Sequence, residues 1–225
     1  MEVTINTKRF LLARLAILTG ILLGIILLLS AKNSDAATNN PNVGIVNDFL
    51  RIEFDQKNGE LAALTDLSSG VNFIRNSTRM HSLWRLDLSD DQWLDLSDAE
   101  EFAWLRNGPT AMQLTWSGFE SYAPDFKVIV DVELSKDEPM SEWHIKIDNM
   151  NKVYVETIHF PCIPDISKLG NNERLAIPRL MGELAENPRE LFSSEKNPKK
   201  SFQYPGFLGL QCLALYEQDG LGFYA

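Results

Sequence analysis

The chain has 225 residues, of which 44% are hydrophobic, 10% aromatic and 23% charged, and its formal net charge is −10. This composition provides enough apolar material for a folded core, which excludes an intrinsically disordered chain. Residues 1–36 carry a net charge of +2, so the remaining chain carries −12. Such an acidic body argues against binding to a nucleic-acid backbone or to anionic lipid, and it is compatible with a neutral ligand such as a sugar.

The first 36 residues predict a targeting segment. Cationic residues up to Arg14 precede the uncharged apolar run from Leu15 to Leu29, and the small-residue triplet Ser34-Asp35-Ala36 follows it. This order is typical of a signal peptide. The run is shorter than the about 20 residues of a typical membrane-spanning helix, although about 17 can suffice, so an uncleaved membrane anchor is the alternative. Either interpretation places the body outside the cytoplasm, as a secreted, periplasmic or membrane-anchored protein.

Residues 37–42 are polar and predict a linker, and residues 43–225 predict one domain that is rich in β-strands. Its first strands show the alternation of a half-buried sheet, because Leu50, Ile52 and Phe54 alternate with charged residues. The dipeptide Asn58-Gly59 predicts a hairpin turn into "ELAALTD". The segment Ser68-Ser69-Gly70 predicts a second turn, followed by the short strands "VNFI" and "SLWRLDL".

The clearest alternation runs from Thr110 to Phe160, where four strands are predicted between turn residues. Residues 182–201 predict a long polar connection with one helical turn at Pro188 to Phe192, and Gly209 to Ala225 predict two strands around a turn. Together these patterns predict an all-β fold, an antiparallel β-sandwich preceded by an N-terminal apolar helix.

The most acidic stretch extends from Leu86 to Trp104. Seven carboxylates occur in it that could supply calcium ligands or an acid–base pair: Asp87, Asp90, Asp91, Asp95, Asp98, Glu100 and Glu101. The stretch has no glycine for the sharp turn of a calcium loop, and spacing alone does not fix two carboxylates at a catalytic separation. We therefore predict solvated strand ends and a loop here, and we assign no catalytic residue, metal ligand or cofactor.

The five tryptophans include the only candidates for ligand contact. Trp116 and Trp143 lie in alternating strands and are predicted to be in the core. Trp93 and Trp104 lie in the acidic stretch and are predicted to be exposed, substrate-binding platforms on which a sugar ring can stack. Packing inside the protein is the alternative role for both.

The histidines and cysteines form no recognisable motif. His144 is predicted to face solvent or a neighbouring polar row, His159 ends a strand, and neither these two nor His81 has a metal-ligand spacing. Cys162 and Cys212 lie in apolar segments, which predicts buried free thiols, with a disulfide between them as the alternative.

Four segments together resemble the N-terminal β-sandwich, a supersandwich of the galactose-mutarotase-like fold, of multidomain glycoside-hydrolase-like proteins. They are "NDFLRIEFDQKNGELAALTDLSSGVNFI", "LWRLDLSD", "IPRLMGELAENP" and "YPGFLGLQCLALYEQDGLGFYA", of which the last is the most distinctive. The resemblance covers residues 43–225 and implies the sandwich fold, a carbohydrate ligand and a catalytic (β/α)₈ barrel downstream. Catalytic carboxylates of such enzymes lie in the barrel, so none is transferred to this chain. Because Ala225 falls inside a predicted strand, we expect that more protein normally follows it.

The expected function is that of a non-catalytic, carbohydrate-associated module that packs on a catalytic barrel or lines its substrate site. One alternative is a free-standing surface module that binds a glycan or a protein. The other is a sugar epimerase or polysaccharide-cleaving enzyme that acts through a histidine or a carboxylate pair. In every case no nucleic acid is expected as a partner, and membrane contact is expected only through the N-terminal segment.

Overall fold

Period-two alternation of apolar and polar side chains dominates the folded part of this chain. A computed structural model describes residues 41–75, 82–89, 91–119, 125–150, 153–163, 165–193, 208–210, 212–218 and 220–224. Within these ranges the chain forms fourteen strands and almost no helix. The strand pairs whose register is defined are antiparallel, which confirms the predicted all-β class.

The strands, in chain order, are β1 (Asn42–Val46), β2 (Leu50–Asp55), β3 (Leu61–Asp66), β4 (Arg85–Leu88), β5 (Trp93–Asp95), β6 (Glu101–Arg106), β7 (Ala111–Ser117), β8 (Lys127–Leu134), β9 (Ser141–Asp148), β10 (Val155–His159), β11 (Glu173–Ile177), β12 (Glu183–Glu186), β13 (Ala214–Glu217) and β14 (Gly222–Tyr224). A 3₁₀ turn at Leu96–Asp98 follows β5, and the short helix α1 (Pro188–Ser193) follows β12. The sheets have the strand orders β1-β2-β3, β10-β4-β5, β6-β7-β8-β9 and β12-β11-β13-β14.

The first hairpin forms as the sequence predicts. Leu50, Ile52 and Phe54 of β2 are buried, and β2 pairs with β3. Gly59 closes the turn with a φ of 77°, a left-handed conformation that glycine adopts without steric cost. Beside it, the indole Nε1 of Trp116 donates a hydrogen bond to the carbonyl of Asn58 at 2.8 Å. The turn is therefore tied to the sheet that contains β7.

Aromatic rings connect the sheets in the core. The buried rings of Trp84 and Trp116 meet edge to face with their centres 5.7 Å apart. Phe119 extends this contact from Trp84, with a centre separation of 6.2 Å. On the other side of the core, Phe54 of β2 contacts Trp143 of β9 at 5.9 Å. These contacts pack β2 and the segment before β4 against the four-stranded sheet β6-β7-β8-β9.

The four strands predicted between Thr110 and Phe160 are confirmed, while the position of Trp143 and the earlier predicted strand "VNFI" are corrected. Alternate residues of β7 and β8 are buried, and Trp116 is in the core as predicted. Trp143 is only half-buried, because β9 is an edge strand whose pairing is with β8 alone, and its Nε1 donates to the hydroxyl of Ser141. The predicted strand "VNFI" forms only isolated bridges at Asn72 and Ile74.

The C-terminal half differs from the prediction in two places. The supposed polar connection contains β12, which pairs with β11, although the predicted helical turn is present as α1. The predicted strand at the end of the chain begins only at Ala214, so the prediction of two buried thiols is wrong: Cys212 precedes the strand and is exposed, and Cys162 is half-buried. Both thiols are free in the described chain.

The predicted targeting segment and most of the linker, residues 1–40, lie outside the described residues. Among the residues that are described, no helix is long and apolar enough to cross a membrane.

One carboxylate is buried between β11 and α1. Glu173 accepts hydrogen bonds from Nε of Arg189 at 2.5 Å, from Nη2 of Arg189 at 2.9 Å and from the backbone N–H of Leu169 at 2.8 Å. Burial acts to raise the pKa of Glu173, but these hydrogen bonds outweigh it and hold the pKa below its ordinary value of 4.5. Glu173 is therefore ionised at neutral pH and fastens α1 to the sheet.

Two glycines with similar positive φ values give the first prediction. Gly59 and Gly70 have φ values of 77° and 73°, but a Cβ at Gly59 would overlap the rings of Phe102 and Trp116, whereas nothing lies within 4 Å of one at Gly70. We expect Gly70→Ala to cost about 1–2 kcal/mol, the left-handed penalty alone. Gly59→Ala is expected to cost about 1–3 kcal/mol more through overpacking. Equal free energies of unfolding in urea for the two variants would contradict this.

The buried ion pair gives the second prediction. A carboxyl whose folded-state pKa is lowered stabilises the fold above its unfolded pKa, and that contribution is lost as the pH falls through the folded-state pKa. We expect Glu173→Gln to cost about 1–3 kcal/mol near pH 7 and progressively less as the pH falls below about 4.5. The control is Glu186→Gln, which removes the exposed partner of Arg174 at 3.5 Å. A pH-independent difference between wild type and Glu173→Gln in urea unfolding would refute it.

Candidate functional site

The sheet β10-β4-β5 presents its polar side outward. Leu86 and Leu88 of β4 and Leu94 of β5 are buried, so they point toward the core. Because side chains alternate across a strand, Arg85, Asp87 and Trp93 must point to the opposite side. This outward side is where the predicted ligand residue Trp93 lies.

The strand register arranges the outward side chains in two rows. Asp87 is paired with Thr157 of β10 and with Trp93 of β5, and Arg85 is paired with His159 and with Asp95. All six side chains are exposed or half-buried. We call this surface the polar face, and it consists of Arg85, Asp87, Trp93, Asp95, Thr157 and His159.

Asp87 is the centre of the polar face. Its Oδ1 accepts a hydrogen bond from Nε of Arg85 at 2.6 Å, and its Oδ2 lies 2.8 Å from Nε2 of His159. The hydrogen bond with His159 is the largest cause that holds the pKa of Asp87 below its ordinary value of 3.8; burial acts to raise this pKa, and the hydrogen bond and charge of Arg85 act to lower it. Asp87 is therefore ionised at neutral pH, and it accepts from both neighbours.

Arg85 also braces Trp93. Its guanidinium carbon lies 4.9 Å from the centre of the Trp93 ring, which is the geometry of a cation–π contact. The ring is nevertheless 53% exposed, as the sequence predicts. Arg85 thus orients the indole from one side and leaves a large part of its surface open for stacking.

Two other carboxylates of the acidic stretch, Asp95 and Asp98, shape the local chain. Asp95 accepts hydrogen bonds from the backbone N–H and the hydroxyl of Ser97, while Asp98 accepts from the N–H of Asp95, which forms a capping box on the 3₁₀ turn. Much of the acidic stretch that was predicted as a loop forms strands and the 3₁₀ turn. Among the described residues, no group of three or more side chains is placed to hold a metal ion.

Trp104 is placed differently from Trp93. It lies in β6, opposite the buried Leu114, and is half-buried rather than exposed. The two tryptophans belong to different sheets, β10-β4-β5 and β6-β7-β8-β9. The substrate-binding role of both residues stays a prediction, and Trp93 presents the more accessible ring.

The interpretation of the sequence missed Arg85 and the pair formed by Asp87 and His159. These partners are 72 positions apart and meet only because β10 pairs with β4. The outward position of Arg85 and Asp87 could have been found from the alternation in "SLWRLDL". His144 faces solvent as predicted, with its Nε2 3.8 Å from Glu142, and His81 lies outside the described residues.

A cavity of about 490 Å³ lies between α1 and the sheet β12-β11-β13-β14, with a mostly apolar lining that includes Leu175, Phe192 and Phe223. Its Arg189 is already bound to Glu173 and to the carbonyls of Ile166 and Ser167. Arg75 and Asp165 also line the cavity, but most of its lining is apolar, so it suits an apolar ligand better than a sugar.

Comparison with known proteins assigns no family: no protein-family model matches the sequence, and no curated protein sequence is significantly similar to it.

The histidine contact gives the third prediction. We expect His159→Ala to raise the pKa of Asp87 toward its ordinary value, because the largest cause of the lowered pKa is removed. The measurement is a carboxyl ¹³C NMR titration of Asp87. His144→Ala is the matched control, since it removes an exposed strand histidine whose ion-pair neighbour is Glu142. An unchanged pKa in His159→Ala would show that Asp87 is ionised for another reason.

Proposed function

We propose that this chain is an exported, carbohydrate-binding β-sandwich module of the galactose-mutarotase-like type. The observation that carries the proposal is the exposed Trp93 ring, braced by Arg85 next to the hydrogen-bonded pair of Asp87 and His159. An open aromatic surface with adjacent fixed polar groups is suited to a sugar, which has an apolar C–H face and a polar rim of hydroxyls. The packing of β2 on β9 and of Trp84 on Trp116 supports a two-layer arrangement.

The proposed module acts with a catalytic barrel of a glycoside-hydrolase-like protein rather than by its own turnover. Several large apolar side chains on the sheet β12-β11-β13-β14 and its approaches are exposed, which supports a protein partner at this side: Leu180, Met181, Leu184, Leu210 and Leu213. A docked catalytic domain would bury them. The polar face belongs to another sheet, so one chain could bind a glycan and a protein at the same time.

A sugar-modifying enzyme is the second candidate, and one contact favours it. Because Asp87 binds Nε2 of His159, the other ring nitrogen stays available for proton transfer to a bound sugar. The module is the better-supported proposal, since the second carboxylate of the polar face, Asp95, already accepts two hydrogen bonds from Ser97.

Loss of the indole gives the fourth prediction. We expect Trp93→Ala to weaken binding on a glycan array or in a titration by at least about tenfold, because stacking on an aromatic ring is lost. Tyr224→Ala, at an exposed aromatic residue of β14, should bind as the wild type does.

Three other results are informative. Equal binding by wild type and Trp93→Ala would remove the aromatic platform from the proposal. Loss of binding in Trp104→Ala alone would move the site to β6. Turnover of a saccharide panel that disappears in His159→Ala and persists in His144→Ala would favour the enzyme.

A further inference from the structure

We infer that the polar face selects a neutral saccharide over a uronic-acid saccharide of the same backbone. This inference rests on the proposed carbohydrate-binding function and specifies the ligand class of that same site. It follows from which groups of the polar face are already paired and which stay open to a ligand.

The donors available to a ligand belong to Arg85. Its Nε is bound to Asp87, and among the described residues its two terminal nitrogens have no hydrogen-bond partner. The side chain is 48% exposed, so these N–H groups are accessible. A guanidinium can bind either a hydroxyl oxygen or a carboxylate, and its presence alone does not decide between a neutral and an anionic sugar.

The groups around Arg85 are acceptors. Nε2 of His159 lies 2.8 Å from Oδ2 of Asp87 and donates to this carboxylate, which leaves Nδ1 of the ring open to a ligand. Asp87 retains lone pairs on both oxygens, and Asp95 is directly opposite Arg85 on β5. A ligand group over Arg85 must therefore donate to its neighbours as well as accept from the guanidinium. A hydroxyl does both, whereas a carboxylate only accepts.

The charges lead to the same choice. The positive charge of Arg85 is balanced by Asp87 at 2.6 Å, and Asp95 adds a further negative charge opposite Arg85, so these three residues together carry a net −1. The polar face belongs to residues 37–225, whose net charge as a whole is −12. A uronate placed over this face would gain one attraction and meet two repulsions.

The geometry sets the orientation and extent of the ligand. Three strands that are about 4.8 Å apart make the polar face about 10 Å wide, which is close to the length of a disaccharide. The C–H face of one ring would lie on Trp93, and the hydroxyls of its neighbour would reach Asp87, Arg85 and His159. The saccharide would run across the strands, along the row formed by Trp93, Asp87 and Thr157.

The experiment compares matched pairs of oligosaccharides on the full 225-residue chain. The pairs are β-1,4-glucose with β-1,4-glucuronate, β-1,4-mannose with β-1,4-mannuronate, and α-1,4-galactose with α-1,4-galacturonate oligomers, titrated by calorimetry near pH 7. For the backbone that binds best, we expect the neutral member to bind at least about tenfold more tightly. Raising NaCl from about 20 mM to about 500 mM should increase the affinity for the uronate oligomer, because salt screens its repulsion by Asp87 and Asp95. The ratio between the two affinities should therefore become smaller.

A single variant separates charge from shape. Asp95→Asn removes one negative charge and keeps a good capping side chain, so it should narrow the ratio between neutral and uronate ligands without changing the fold. Asp131→Asn is the matched control, because Asp131 is also an exposed strand carboxylate, opposite His144 on β9. It should leave the ratio unchanged.

The outcomes distinguish the inference from the proposed function. Tighter or equal binding of the uronate member, with Trp93→Ala still abolishing it, would overturn the inference and leave the carbohydrate-binding function intact. A ratio that Asp95→Asn does not change would overturn the electrostatic explanation of the selectivity. No binding of any pair, together with a silent glycan array, would refute the proposed function and the inference with it.

Discussion

Edge-to-face packing of Trp84 against Trp116 is the contact on which the rest of the molecule depends. Both rings are fully buried, and Trp116 also holds the turn of the first hairpin through its hydrogen bond to Asn58. Trp84 directly precedes β4, so its inward position sets the phase of that strand: Leu86 and Leu88 follow it into the core. A shift of one residue would exchange the two sides of β4. The core contact is therefore what exposes Arg85 and Asp87.

Glu173 and Asp87 both have lowered pKa values, but their negative charges have different structural roles. Glu173 is buried, and its ionisation survives because Arg189 and a backbone N–H compensate for lost solvation. Its role is to fasten α1 to β11. Asp87 is at the surface, where an ion pair contributes little to stability because water and salt screen it. Its contacts with Arg85 and His159 instead fix the directions of neighbouring side chains, which reduces the entropy lost when a ligand binds.

The polar face also illustrates why an aromatic platform needs a support. An indole on an edge strand can rotate, and a ligand that stacks on it must first restrict that motion. Arg85 contacts one side of the Trp93 ring, and Asp87 holds Arg85 in place. The orientation of the ring is therefore fixed by side chains on the neighbouring strand β4. Next to it, Asp95 and Asp98 take part in a local cap.

The sequence by itself determined the strands whose signal is local. The alternation of Leu50, Ile52 and Phe54, the turn at Asn58-Gly59 and the buried rows of β7 and β8 follow from period two and from turn chemistry, so they could be predicted without knowledge of any partner strand. The exposure of Trp93 was predicted on a different ground, its place in the acidic stretch, and the same ground failed for the half-buried Trp104. Short strands such as β12 were missed, because four residues with one buried side chain carry too weak a pattern.

Only the tertiary structure decided which distant residues meet. The pairing of β10 with β4 brings His159 to Asp87, the edge position of β9 leaves Trp143 half-buried, and the pairing of β6 with β7 turns Trp104 toward Leu114. Cys212 is exposed for a related reason. β13 pairs with β11 only from Ala214 onward, so Cys212 lies before the paired part of the strand. Alternation specifies the two sides of a strand, but the choice of neighbouring strand depends on how all the apolar sides are buried together.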